Sequence, residues 1–384
     1  MIANFGPGMR ERFALEPDMA FLNHGSYGAA PKEVLAVQGE LRSRLESQPV
    51  RFMSRELPGR LSEAGAVLAQ FVGAKAADLA FVENATAGCN AVLRSLRFKP
   101  GDEILITDHI YPAVRNILRH VTAESGALLV EAHLPFPLQG PQPVIDAVTA
   151  KITDCTKLVV LDHITSPTAT ILPVAEIADA AKKVGARVLL DAAHAPGHID
   201  FDVTALGADW VTGNAHKWLF APKGAAFLWA APEAQEGLHP TVISHGFGKG
   251  FQMEFGWTGT RDPSAWLAVP AAIDFYKRIG GRAVRGHNHD LARRAADLLM
   301  ERLGTGPASP AAMRGAMATI ELPTNLPGEV DVGRALNARI WEKHRIEVPI
   351  FAFAGKLWVR ISAQVYNELA EYEELAVALK KELN

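Results

Sequence analysis

Four short aliphatic runs in this chain each end abruptly on polar, ionisable residues. EILIT (103–107) leads into Asp108-His109-Ile110-Tyr111, and LVVL (158–161) into Asp162-His163-Ile164-Thr165-Ser166. VLL (188–190) leads into Asp191-Ala192-Ala193-His194, and ADWVTG (208–213) into Asn214-Ala215-His216-Lys217. A fifth run, ALLVEAHL, covers 127–134. Runs this short, rich in Val, Ile and Leu with no polar alternation, are strands buried on both faces. PVAEIADAAKKVG (173–185) reads as a helix between two of them, with Pro at its first turn and Gly185 just past its end. Strand, crossover helix and strand in repetition predict an α/β fold with a mostly parallel sheet and helices on both faces. LAFVENAT and the helix-like AGCNAVLRSL precede this series, and GAAFLWA (224–230) is expected to return antiparallel.

Upstream, apolar residues recur at helical spacing between Leu41 and Phe71, with Pro49 separating two segments. From about 265 the texture changes to long Ala- and Arg-rich helical stretches, then a Pro/Gly/Ser-rich junction, GTGPASP (304–310). AMATIELP and KLWVRIS read as strands, with helices at 330–344 and 368–382. The expected division is an N-terminal segment plus large domain over 1–264 and a smaller α/β domain over 265–384.

With 384 residues, 48% of them apolar, a sizeable core can form, and a net charge of −3 supplies no basic stripe for nucleic acid. Two cysteines, Cys89 and Cys155, cannot make a disulfide framework or a cysteine-based zinc site. The opening MIANFGPGMRERF lacks a long apolar stretch, and no apolar run approaches the ~18 residues that span a bilayer. A cytoplasmic protein is expected.

Ligands of open parallel sheets sit beyond the carboxyl ends of the strands, where loops converge and helix N-termini offer free N–H groups. Asp191 directly follows Val188-Leu189-Leu190, so its carboxylate needs a partner there. A metal is one candidate, since Asp108, His109, Asp162, His163, Asp191 and His194 are suitable ligand types; that would make a metal-dependent hydrolase. No recognised metal-binding spacing accompanies them. The other candidate is a protonated heterocycle nitrogen, with Lys217 as covalent anchor, which is how pyridoxal phosphate is held.

FLNHGSYGAAP (21–31), LDHITSPTATILPV (161–174), LLDAAHAPG (189–197), ADWVTGNAHKW (208–218) and WTGTRDPSA (257–265) carry a resemblance along nearly the whole chain. The sequence resembles fold-type I pyridoxal-phosphate enzymes of the class V aminotransferase family, which includes cysteine desulfurases, and within it the isopenicillin N epimerase-like subgroup. The resemblance implies pyridoxal 5′-phosphate as cofactor and Lys217 as the Schiff-base lysine and proton shuttle. It gives Asp191 as partner of the pyridine nitrogen, with His194 and either Ser166 or Thr165 near the phenolic oxygen. His109 would stack on the ring, with Tyr111 as the alternative. Ala85 and Thr86, at the head of a helix, together with Asn214 and His216, would cradle the phosphate; Asn214 stands where the family usually has Ser. Thr258 or Thr260 would complete that cradle from a neighbouring subunit, implying a homodimer with sites at the interface. Arg360 would clamp the carboxylate of an amino-acid substrate, near Asn23, His24 and Tyr27, with Arg261 and Arg55 as candidates for a second carboxylate.

The family's persulfide-forming desulfurases need a nucleophilic cysteine in the C-terminal part, and no cysteine follows Cys155. Three activities remain. Epimerization ranks first on subgroup resemblance, with Lys217 as one base and His24, His109 or Tyr27 as the other. A β-eliminating C–S lyase or a transaminase needs Lys217 alone.

Overall fold

The computed structural model describes residues 5–323 and 325–383. Seven strands form the central sheet: β1 (Leu79–Val82), β2 (Glu103–Thr107), β3 (Leu128–Ala132), β4 (Thr156–Asp162), β5 (Arg187–Asp191), β6 (Trp210–Asn214) and β7 (Ala226–Ala230). Their spatial order is β1-β7-β6-β5-β4-β2-β3. The block from β3 to β6 is parallel, while β7 runs antiparallel to both β6 and β1. Nearly every residue of β4 to β7 is buried, as the unbroken aliphatic runs require of strands covered by helices on both faces.

The chain passes from β2 out to β3, then crosses back to place β4 on the other side of β2. That reversal opens a crevice at the carboxyl ends of the strands. Crossovers are made by helices Pro112–Ser125, Pro141–Thr149 and Val174–Lys183. The last lies within the predicted 173–185 span, with Gly185 at φ +76 just past its end, where a left-handed residue closes a helix. Helix α1 (Ala85–Ser95) follows β1 and points its N-terminus into the crevice.

A smaller sheet of β8 (Met317–Glu321), β9 (Ile350–Phe353) and β10 (Lys356–Ser362) is antiparallel, in the order β9-β10-β8. It packs with helices Arg282–Leu303, Val330–His344 and Leu369–Leu383 around a second core. That core also takes in Ala20 and Leu22, because Ala20–Phe21 pairs in parallel with Ile346–Glu347. Helix Val269–Arg278, which a division at 264 assigns to the small lobe, packs Val269, Ile273 and Phe275 in the large core. The sequence reading passed over β9. Ala354 and Gly355, both at positive φ, form the two-residue turn that joins it to β10.

Candidate active site

Four strand ends and the head of one helix enclose a cavity of about 480 Å³. Its anion-binding end is built by α1. Asn84 caps the helix, its Oδ1 accepting from the Ala87 N–H at 2.9 Å, and the Ala85 N–H donates to Asn214 Oδ1 at 2.9 Å. That bond occupies the Asn214 carbonyl and leaves its NH2 free for the cavity. Thr86 and His216 line the same end. The helix comes this close because Gly88 faces β6: a Cβ there would lie 2.2 Å from Thr212 Oγ1. His216 holds its ring by Nδ1, 3.0 Å from the Ala225 carbonyl, and burial pushes its pKa down to about 4. The Thr86 N–H and hydroxyl, the Asn214 amide and the His216 imidazole, gathered at a helix N-terminus, suit a phosphate group.

Lys217 projects from the turn after β6, with Nζ 3.2 Å from His194 Nε2. Trp218 Nε1 donates to His194 Nδ1 at 3.4 Å. The neutral imidazole therefore carries its proton on Nε2, and the contact is satisfied when Lys217 is an uncharged amine. Burial, reinforced by the Arg360 charge, lowers Lys217 to about 8, against the pull of Asp191 and Asp162. Its backbone is held from behind by the N-terminal segment. His24 Nε2 lies 3.0 Å from the Lys217 carbonyl oxygen, and Gly28, at φ +70, packs where a Cβ would meet the His216 carbonyl at 2.1 Å.

Asp191 is 4% exposed, and its Oδ1 accepts from the Ala193 N–H at 2.9 Å. Burial raises its pKa, opposed by that bond and by Lys217. Arg360, on β10, is buried and brought down to about 10 by desolvation. One guanidinium nitrogen donates to Ser26 Oγ at 2.8 Å and to Asn23 Oδ1 at 3.3 Å, and another donates to the Ser166 carbonyl. Its Nε has no partner. Ser166 and Tyr27 line the cavity, with Tyr27, 73% exposed, at its mouth.

Several sequence expectations land elsewhere. His109 is enclosed by Phe136 and Phe353, with ring centroids 5.2 and 4.8 Å away, and its Nδ1 lies 2.8 Å from Thr168 Oγ1. It is not among the residues lining the cavity, whereas Tyr111 is. The Ile110 N–H closes a turn after β2 on the Thr107 carbonyl, and Phe353 of the small domain packs on the His109 ring. His24 faces away too, its Nδ1 2.7 Å from the Tyr366 hydroxyl, so both nitrogens are engaged. Asn23 supports Arg360 and anchors to Glu347 at 3.1 Å. Within one chain Thr258 borders a shallow depression beside Glu83 and Ala87, and Thr260 is exposed. Arg261 is paired with Glu83 and lies over Trp266 at 3.6 Å, and Arg55 is exposed. Sequence reasoning left Asp162 without a cofactor role, although it is buried on the cavity wall. Its signal was parallel to that of Asp191: a terminal Asp on an adjacent strand. Among the described residues no group of three or more His, Cys, Asp and Glu is gathered to hold a metal ion.

A mostly parallel sheet whose crevice holds a buried carboxylate, a lysine of lowered pKa and a phosphate seat defines a fold-type I pyridoxal-phosphate site. The profile of the aminotransferase class-V family matches residues 25–375, and the chain belongs to that family. It is 35% identical to isopenicillin N epimerase of Amycolatopsis lactamdurans, over 99% of each chain. It is 33% identical to a probable chloroplastic L-cysteine desulfhydrase of Arabidopsis thaliana, over 95% of this chain and 83% of the relative. A solved structure of a C-DES mutant, with glycine covalently linked to its PLP cofactor, superposes with a TM-score of 0.82 at 21% identity, covering 96% of this chain and 98% of the other. The protein is a pyridoxal-phosphate-dependent enzyme. The residues present fit that group: Thr86, Asn214 and His216 at the head of α1 would hold its phosphate, Lys217 would offer an amine to its aldehyde, and Asp191 a buried carboxylate to its ring nitrogen.

Proposed function

We propose that the enzyme is a C–S lyase that eliminates the β-substituent of a small sulfur-containing L-amino acid such as cysteine. The observation that carries this reading is that Lys217 is poised as a base on the cavity wall, while the two histidines expected as second bases have their ring nitrogens turned away from it. Pyridoxal phosphate, when bound, supplies the electron sink for the bond broken at Cα. Arg360 binds the substrate carboxylate with its two-pronged fork, held in place by Ser26 and Asn23. Lys217 takes the Cα proton as the C–S bond breaks, its electron pair leaves with sulfur, and Lys217 returns the proton to the departing thiolate. The released 2-aminoacrylate takes up water to give pyruvate and ammonia, so cysteine plus water becomes pyruvate, ammonia and hydrogen sulfide.

No cysteine side chain need take part. Cys155 is exposed at the start of β4, roughly 20 Å from the end that carries Asp162. Cys89 is buried on α1, and burial holds its thiol well above the usual range. Epimerization is the second reading, supported by Tyr27 on the cavity and by the likeness to an isopenicillin N epimerase. A homodimer in which Thr258 or Thr260 reaches the partner's phosphate seat, and a cytoplasmic location, complete the proposal. Among the described residues no helix is long and apolar enough to cross a membrane.

Purified enzyme given L-cysteine should release sulfide and pyruvate in equal amounts. Interconversion of L- and D-amino acids without sulfide would replace this reading with epimerization, and a keto acid retaining the substrate's side chain would replace it with transamination.

A further inference from the structure

Strands β4 and β5 deliver two carboxylates to one place. Asp162 and Asp191 are register partners, each the last residue of its strand. Register partners on neighbouring parallel strands present their side chains on the same face, with the strands about 4.8 Å apart. Both residues line the cavity, and they are 3% and 4% exposed. Their surroundings differ. Asp191 Oδ1 accepts from the Ala193 N–H, while Asp162, which accepts from the backbone N–H of Tyr111 and from its own, keeps Oδ2 buried with no hydrogen-bond partner. The charged or titratable groups that act on the pair from neighbouring elements are Lys217 after β6, the Tyr111 phenol after β2 and the Cys89 thiol on α1. Burial keeps that phenol and that thiol protonated, leaving Lys217 as the one cation among these groups.

Two buried carboxylates this close cannot both ionise cheaply against one amine, and such pairs retain a proton. We propose that Asp162 is an uncharged carboxylic acid at neutral pH, its proton on Oδ2, so that Asp191 alone supplies negative charge to the wall facing the cofactor ring. The buried Asp162 Oδ2 decides which residue holds the proton, since an oxygen shut from water with no donor is a poor place for charge. Burial and then the Asp191 carboxylate hold Asp162 well above the ordinary range despite the Tyr111 N–H and Lys217, whereas Asp191 is raised by burial alone and pulled back by the Ala193 N–H and Lys217. The consequence reaches Lys217. A wall bearing two charges would keep its amine protonated, and a neutral Asp162 relieves that pull. Asp162 is therefore a positioning residue for the charge of the site, whichever reaction follows at Cα.

The inference rests on pyridoxal phosphate being the cofactor and not on the elimination reading. The test compares wild-type holoenzyme with Asp162→Asn, an uncharged isostere of the protonated acid. The pH midpoint of the bound cofactor's visible spectrum should stay well within one pH unit of wild type, and the cofactor Kd within about twofold. A midpoint displaced by about one pH unit or more, the effect of deleting a charge, overturns the proposal. Infrared spectroscopy of the wild type, in apo and holo forms, should show a protonated carboxylic C=O stretch near neutral pH that is missing in Asp162→Asn. Its absence from the wild type overturns the proposal even where the variant does not fold. Failure to bind pyridoxal phosphate at all is seen separately, as a protein that never acquires visible absorbance.

Discussion

His24 Nε2 lies 3.0 Å from the backbone carbonyl oxygen of Lys217, across 193 positions of sequence. The other ring nitrogen is 2.7 Å from the Tyr366 hydroxyl, so the imidazole ties the N-terminal segment, the lysine turn and the small domain together. Replacing His24 by Phe leaves the Lys217 carbonyl and the Tyr366 hydroxyl short of a partner, which costs about 1–3 kcal/mol. Thermal denaturation should report that loss, and kcat should fall while the shape of the pH–rate profile stays as in wild type. A lost ionisation in that profile would make His24 a base instead.

Lys217→Ala should abolish the covalently bound cofactor chromophore and lower turnover by about 10³-fold, within the range of a lost general base. In the apoprotein, the rate of combination with pyridoxal phosphate should climb with pH through about 8, because burial lowers the Lys217 amine to that value and the neutral form is the nucleophile. Arg360→Met removes a positive charge that helps lower Lys217, so this midpoint should move upward in that variant. Stopped-flow absorbance across pH measures both.

Arg360→Lys keeps the charge but loses the fork. Its kcat/KM for an α-amino acid should drop on the order of 10²-fold, with the greater part in KM, and a substrate analogue lacking the carboxylate should be nearly indifferent to the change. Steady-state kinetics on the pair of substrates decides it.

A double variant, Cys89→Ala with Cys155→Ser, should keep sulfide release within about twofold of wild type. Cys155 lies at the opposite end of its strand from the cavity, and Cys89 is a buried thiol held protonated. Loss of turnover in a variant whose cofactor spectrum is intact would bring a persulfide-forming cysteine back into the mechanism.

Acid should destabilise the fold before carboxylate titration alone would. Burial holds His24 near 3 and His109, His163 and His216 near 4. The unfolded chain binds protons at these histidines from about pH 6.5 downward while the folded one does not, so stability falls as pH drops from about 6.5 toward 4. Asp162 and Asp191, raised in the fold, act in the opposite sense on fewer groups. The melting temperature of the apoprotein should decline by several degrees between neutrality and about pH 5, and a flat curve there would count against buried neutral imidazoles.

Much of this was legible in the chain. The aliphatic runs ending in Asp162, Asp191 and Asn214 marked strands, direction and the edge at which ligands bind, because a buried parallel strand has a composition of its own. Ala85 and Thr86, expected at the head of a helix, do stand there and line the cavity with His216. Lys217, Asp191 and His194, singled out at strand ends, all line one cavity, and Arg360, named from the family resemblance, stands behind its lining residues Ser26 and Ser166. Strand β9 went unread because its four residues, IFAF, carry little pattern of their own, and only pairing with β10 makes them a strand.

The tertiary structure decided what no local pattern encodes. Which of His109 and Tyr111 reaches the cavity depends on how the turn after β2 is closed and on Phe353 arriving from the small domain. Whether His24 is a base or a brace depends on Tyr366, 342 positions away. That Asp162 stands beside Asp191 follows from the register of β4 on β5. Hydrophobic burial fixes where a strand lies and which face it shows, and it acts through composition that can be read along the chain. Register, turn direction and the pairing of buried polar groups are set by partners distant in sequence, and those exist only once the chain has folded.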